Sequence, residues 1–292
     1  MSVPFSLRIF VADGDPDGLR VVERSNWIGK ALMFPRALLP RVKGREELSQ
    51  TGVYLLLGPR DDGEGEMLYV GEGDPIRPRL ESHYAKKDFW TRAVCFVAGA
   101  GQLNKAHVQL LEAQLIAKAQ AAKRLPLDNG NTPTEPTLSE ADRADMQVFL
   151  HNMLGMLPVL GVHAFEQAAP AAAATSAAPL HCKGKGVAAT GYESSQGFVV
   201  KAGSQAVAAA VPSMQQHVRG MFELRQELIG NGVLAPAEAG AAQGYHFTQD
   251  YVFSSPSTAA AVVLGRSANG RIEWKDAQGR TLKALQEKEL AP

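Results

Sequence analysis

The sequence predicts an α/β protein, more narrowly α+β, built as two domains. A small central antiparallel sheet flanked by helices fills the first half, and a second small α+β domain follows an Ala/Pro-rich linker. Three observations carry this reading. The length of 292 residues suits about two domains at roughly 100–200 residues each. Residues 167–179 read QAAPAAAATSAAP, a charge-free stretch with almost no large apolar side chain, which cannot bury a core. On both sides of it, short apolar runs bounded by Gly and Pro alternate with segments of helical period. The resulting division is a strand extension over 1–47, a first domain over 48–166, a linker over 167–181 and a second domain over 182–292.

The elements follow in order. Residues 5–12 (FSLRIFVA) alternate as a strand, 13–18 (DGDPDG) supply turn chemistry, and 19–23 pair back as a hairpin. Residues 34–41, with two prolines, are expected to wrap over a core. Residues 51–58 (TGVYLLLG) form a buried strand, 59–66 an acidic loop, and 67–71 (MLYVG) the partner strand. Asp74 and Pro75 read as N-cap and first residue of a helix reaching Tyr84. Pro78 is tolerated there because it falls in the first turn. A strand over 91–98 and a helix over 103–124 follow, the latter with Val108, Leu111, Leu115 and Ile116 on one face. Ser139 and Asp142 open a further helix running to Met153. Beyond the linker come strands at 185–190 and 196–201. A helix at 213–229 is capped by Ser213 and stopped by Gly230, Asn231 and Gly232. A strand at 245–253, a helix at 257–264 closed by Gly265 and a terminal hairpin of 271–275 turning at 276–279 complete the chain.

Composition narrows the function classes. Net charge is zero, with 19 Lys/Arg against 21 Asp/Glu in residues 1–166 and 11 against 9 in the remainder. Neither half has the strongly basic balance of a protein that binds nucleic acid by charge alone, so phosphate contacts must come from a local cluster. The two cysteines form no CxxC pair, which argues against a cysteine zinc site. Cys95 reads as a small buried hydrophobe, and Cys182, in a polar loop, as a thiol open to reaction. His107, His151 and His163 show no metal-ligand spacing. Without a secretory signal or an apolar run long enough to span a bilayer, the expectation is a cytoplasmic protein with no membrane association.

The chemistry-bearing residues occur in one ordered series. Gly52-Val53-Tyr54 lies on the first strand and Tyr69-Val70-Gly71 on its partner. Arg79 and His83 follow on a helix, Glu112 on the next, and Asn129 in a loop. Side chains of a strand alternate faces, so tyrosines on paired strands can enter one cleft. Arg79 and His83 are four residues apart and share a helix face. Glu112 interrupts an apolar face and needs a partner there, since an unpaired buried carboxylate is costly. A hard divalent cation would serve. Lys86 and Lys87, followed by Phe89 and Trp90, read as a helix end and hydrophobic anchor in preference to a phosphate grip.

This series resembles the signature of the GIY-YIG nuclease family, with valine for isoleucine in both triplets and a long spacing of 15 residues from Tyr54 to Tyr69. The resemblance covers about 115 of the 292 residues. It implies an endonuclease that hydrolyses phosphodiester bonds in DNA, whether duplex, single-stranded or branched. Glu112 would hold one Mg²⁺ or Mn²⁺. Tyr54 would assist deprotonation of the attacking water, with His83 orienting Tyr54 or relaying its proton. Arg79 would clamp the phosphate, Tyr69 position the phosphate or the water, and Asn129, or Asn131 two residues on, fix the cleft. The alternative is a catalytically inactive module that binds nucleic acid or a protein partner. The tail, from Phe253-Ser254-Ser255-Pro256 through Trp274, looks like a small uncharacterised domain often fused behind such nucleases. By elimination it reads as a binding module, with Lys183, Lys185 and Lys201 as a modest basic patch.

Overall fold

A computed structural model describes residues 4–60, 65–166, 179–237 and 244–289. The chain divides into two compact units, 1–166 and 167–292. Both are mixed α+β, and every sheet is antiparallel. Most of the expected linker, 167–178, and the centre of the acidic loop, 61–64, lie outside the described residues. No described helix is long and apolar enough to cross a membrane.

Unit 1 is built on one six-stranded sheet. Its strands are β1 (Leu7–Val11), β2 (Arg20–Arg24), β3 (Gly29–Pro35), β4 (Gly52–Pro59), β5 (Glu66–Gly73) and β6 (Arg92–Ala98), in the order β1-β2-β3-β6-β4-β5. Four helices accompany it: the single turn α1 (Leu39–Val42), then α2 (Arg77–Lys86), α3 (Lys105–Ala122) and α4 (Glu140–Met156). Strand alternation divides the core in two. Val53, Leu55 and Leu57 of β4 face one cluster, with Val108, Leu111 and Leu115 of α3 and Phe149 and Met153 of α4. Tyr54 and Leu56 face the other, with Leu39 of α1, Leu80 of α2 and Trp90. The central strands are therefore apolar without a break because helices cover both faces.

Local chemistry sets the helix ends. Ser139 accepts a hydrogen bond from the Asp142 amide at 3.1 Å, as expected for a cap. Asn104 does the same for α3 through the His107 amide at 3.0 Å. Helix α2 begins at Arg77, two residues later than expected. Its residue Asp74 is not the cap: the Asp74–Pro75 peptide is cis, and the Asp74 carboxylate accepts from the Thr51 hydroxyl at 2.6 Å. At the other end Arg36 donates to the carbonyls of Tyr84 (2.7 Å) and Lys87 (3.2 Å), satisfying acceptors that a helix terminus leaves open. The stretch expected to wrap over the core at 34–41 is preceded by strand β3, which pairs along its whole length with β6. Only Arg36–Leu38 and α1 form the wrap.

Unit 2 holds a four-stranded sheet, β13-β9-β8-β7, and a three-stranded one, β10-β12-β11. Its strands are β7 (Leu180–Gly184), β8 (Val187–Ser194), β9 (Gly197–Val200), β10 (Gln205–Val207), β11 (Leu234–Pro236), β12 (Gly244–Phe247) and β13 (Tyr251–Phe253). The helices are α5 (Pro212–His217), α6 (Arg219–Gly230), α7 (Pro256–Leu264), α8 (Gly270–Glu273) and α9 (Leu282–Glu289). Four expectations are corrected here. The helix at 213–229 breaks at Val218, and Val211 rather than Ser213 is its cap residue. The strand at 245–253 is two strands in different sheets. The terminal hairpin keeps its turn at 276–279, bridged by Lys275 and Thr281, but its first strand is the helical turn α8, because the Glu273 and Trp274 amides donate back to Asn269 and Gly270. Cys182 sits buried in β7, not in a polar loop, and burial pushes its thiol up to about 12, which makes it inert.

Candidate active site

The two glycine–tyrosine triplets meet in register. Tyr54 of β4 stands opposite Gly71 of β5. The tyrosine ring lies across that glycine so closely that a Cβ at 71 would come within 2.4 Å of the ring and its hydroxyl. Gly52 plays a similar part on the other side, where a Cβ would meet the Phe96 carbonyl at 2.3 Å. Both glycines are thus required by close approach rather than by backbone angle. Tyr69 points to the same face as Tyr54, as the period of two demands, and their ring centroids are 6.4 Å apart.

Helix α2 brings its groups to this face by a single apolar anchor. Leu80 is its one buried residue, and His83, one turn on, looks the same way. The Tyr54 hydroxyl lies 2.9 Å from His83 Nε2. The His83 ring packs edge-on to Tyr69 with centroids 4.7 Å apart. Arg79 is exposed, and its positive charge acts on both tyrosines and on Glu112. Lys87 lies over the Tyr69 ring at 4.7 Å and is paired with Asp128. Lys87 is therefore occupied within the site wall, Trp90 is fully buried, and Lys86 stays exposed, as befits a helix end and its anchor.

Asn129 serves the scaffold of the cleft. Its side chain accepts from the Val70 amide at 3.0 Å and donates to the Val70 carbonyl at 2.8 Å. Together with the parallel bridge of Leu127 to Leu68, this closes the outer edge of β5 next to Tyr69. Asn131 is exposed and contributes nothing comparable.

Protonation states follow from burial. Desolvation raises the Tyr54 phenol well above its ordinary range, with Tyr69 adding to the rise and Arg79 opposing it. Tyr69 is raised for the same first reason. His83 is pushed down to about 4 by burial and then by Lys87 and Arg79, so its imidazole is neutral at pH 7. Glu112 is pushed up to about 7 by burial and next by Glu72, with Arg79 and Lys105 pulling the other way. Among the described residues no group of three or more His, Cys, Asp or Glu side chains is set to hold a metal. A partly desolvated carboxylate beside a second one nevertheless suits Mg²⁺ or Mn²⁺, which takes one or two carboxylates and completes its shell with water and phosphate oxygens.

Sequence reasoning missed Glu72 and Lys105, which are joined at 2.5 Å across 33 residues. The available signal was a carboxylate directly after Gly71 at the end of β5, where Val70 to Gly73 are all buried. His107 and His163 have carboxylate neighbours, Asp142 at 3.6 Å and Glu166 at 3.2 Å, away from this series.

In unit 2 the stretch from Phe253 to Trp274 forms a packing hub. Ser255 caps α7 through the Thr258 amide at 3.1 Å. The Trp274 indole donates to the Pro256 carbonyl at 3.0 Å, and its ring packs on Phe198 with centroids 4.6 Å apart. A Cβ at Gly270 would come within 2.1 Å of the Pro256 backbone. Lys183 lies near the end of β7 and Lys185 in the turn that leads to β8.

Residues 180–286 match a family model described as a domain of unknown function, DUF4357. This supports the second domain expected behind the linker. Over residues 48–166 no GIY-YIG model matches, so the nuclease reading there rests on residues and geometry. No curated protein and no solved structure matches the chain.

Proposed function

We propose that unit 1 is a metal-dependent endonuclease that hydrolyses phosphodiester bonds in DNA. The observation that carries the reading is the gathering of Tyr54, Tyr69, Arg79, His83 and Glu112 from four separate elements, centred on the 2.9 Å contact of Tyr54 with His83. Structural packing alone gives no reason to leave a neutral imidazole, two raised phenols and a raised carboxylate around one exposed arginine, whereas functional sites collect perturbed groups.

In this reading Tyr54 enters the reaction protonated and His83 neutral. As water attacks phosphorus, its O–H bond breaks and the proton passes to the phenol oxygen, while Tyr54 gives its own proton to Nε2. The phosphorus bond to the leaving oxygen then breaks, and that oxygen carries the charge away. Such a relay avoids the phenolate, which is inaccessible at pH 7 with so high a pKa. Arg79, exposed beside the cleft, clamps the phosphate by its fork of donors. Tyr69 positions the phosphate or the water. Glu112 would hold Mg²⁺ or Mn²⁺, whose chemistry is to stabilise negative charge on the phosphate and leaving oxygens. Unit 2 is a binding module for nucleic acid or a protein partner in this scheme, since its distinctive residues are consumed by packing.

The test is incubation of the full chain with supercoiled plasmid and with labelled single-stranded and branched DNA, in Mg²⁺ and in EDTA, beside Glu112→Gln. Mg²⁺-dependent cutting lost in the variant supports the nuclease. Salt-sensitive binding without cutting supports instead the inactive binding module.

A further inference from the structure

Among the described residues of unit 1, Glu72 is the most deeply buried carboxylate that the scheme above leaves unused. Only 6% of its surface is exposed. One oxygen, Oε1, accepts from Lys105 Nζ at 2.5 Å, and the other, Oε2, is buried without any hydrogen-bond partner. An unpaired buried carboxylate oxygen is expensive, so Oε2 calls for a partner. The lysine that holds Oε1 is half exposed, so it can swing into solvent without unpacking anything.

The neighbourhood holds a second carboxylate. Lys105 and Glu112 lie seven residues apart on α3, two turns along one helix face. Helix α3 packs on β5, where Glu72 follows Gly71 and so, by strand alternation, faces away from the Tyr54 ring, toward the side that carries Val70 and α3. Two carboxylates and one lysine thus share the junction of β5 and α3.

We propose that Glu72 is a second carboxylate of the cation site at Glu112, with Lys105 as the internal counter-ion that a divalent ion displaces. The proposal rests on the reading of Glu112 as a metal-holding residue. It is consistent with the preference of Mg²⁺ for one or two carboxylates in place of a full protein cage. Lys105 then has two duties. It keeps Glu72 from standing as a bare buried anion before the ion arrives, and, once released, it offers an ammonium beside the incoming phosphates.

The experiment is a Mn²⁺ titration of the full chain without DNA, followed by the free-ion electron paramagnetic resonance signal. Water-proton relaxation counts the waters on the bound ion. Glu72→Gln is expected to weaken binding by at least the roughly tenfold that loss of even an outer partner costs, and to add one water to the bound ion. Lys105→Met is expected to tighten binding by up to about fivefold, because the half-exposed ion pair that the cation must break is gone. This second variant lies on the exposed side and keeps the test valid should Glu72→Gln fail to fold. Wild-type affinity in both variants, with binding lost in Glu112→Gln, would overturn the proposal and make Glu72 a structural partner of Lys105. Weaker binding with an unchanged water count would mean an effect of charge at a distance, and would also overturn it. Absence of Mn²⁺ binding in wild type and in Lys105→Met overturns it together with the metal reading of Glu112. DNA cutting alongside unaltered Mn²⁺ binding in the Glu72 and Lys105 variants sinks this proposal alone. The expected Mn²⁺ responses without any DNA cutting sink the nuclease reading alone.

Discussion

The tyrosine cleft of unit 1 and the Trp274 hub of unit 2 are both built from distinctive residues, yet they treat polar groups in opposite ways. In the hub each such group is spent on the fold: the indole on the Pro256 carbonyl, the Ser255 hydroxyl on the Thr258 amide, Gly270 on the close passage of Pro256. In the cleft, glycines and Asn129 are spent in the same manner, but Arg79 and Glu112 keep capacity to bind something else, as does one oxygen of Glu72 at the junction of β5 and α3. The difference teaches that an unusual residue pattern signals chemistry only where donors or acceptors remain after folding is accounted for. On that ground we read the hub as structural and propose the cleft as a site.

The comparison can be broken most forcefully at Trp274. Trp274→Ala should destabilise unit 2 by about 3–5 kcal/mol, the usual cost of emptying a buried aromatic site. Trp274→Phe, which deletes chiefly the indole hydrogen bond, should cost only about 1 kcal/mol. Chemical denaturation of the full chain, followed at a probe in unit 2, reads both. A variant with unchanged stability would end the structural reading of the hub.

Next in size is Gly71→Ala. The added methyl must overlap the Tyr54 ring, so stability should fall by about 1–3 kcal/mol. Cleavage should fall further than the folded fraction does, because Tyr54 is driven off His83. Equal losses of rate and folded fraction would show that the contact of the two side chains has no special part in the reaction. Asn129→Ala leaves the Val70 amide and carbonyl without partners, a loss of about 1–3 kcal/mol. Here rate is expected to track folding, in contrast with Gly71.

The smallest effect concerns pH. His83 is held at about 4, below its ordinary value of 6.5. Its contribution to stability is therefore complete above about pH 6.5 and is lost as pH falls through about 4, since the unfolded chain takes up the proton first. Thermal melts between pH 4 and 7 should show a steeper acid decline for wild type than for His83→Gln. Equal slopes would mean that His83 is not desolvated as described.

Much of this was legible locally. Strands β4 and β5 announce themselves by an apolar run and its partner across a polar loop. The cap of α4 is written in Ser139 and Asp142. Strand β3 was hidden because it is buried on both faces between β2 and β6 and so shows no alternation. The stretch Arg271-Ile272-Glu273-Trp274 misleads in the reverse sense. It alternates like a strand, but burial of Trp274 against Phe198 selects a helical turn and leaves Ile272 half exposed. At the site, Tyr54, Tyr69, Arg79 and His83 were visible as short patterns. The pairing of Glu72 with Lys105 was not, because the strand and helix that carry them come together only in the folded sheet.

The central claim, that the groups left unspent in the cleft perform hydrolysis, is tested most directly by single-turnover cleavage of labelled DNA in Mg²⁺ by wild type and Tyr54→Phe, with thermal melts of both proteins. The account predicts that the variant loses about 10²–10⁴-fold in rate, while stability changes by no more than about 1 kcal/mol. Undiminished cleavage by Tyr54→Phe, or a loss of rate that merely follows a loss of folded protein, would contradict it.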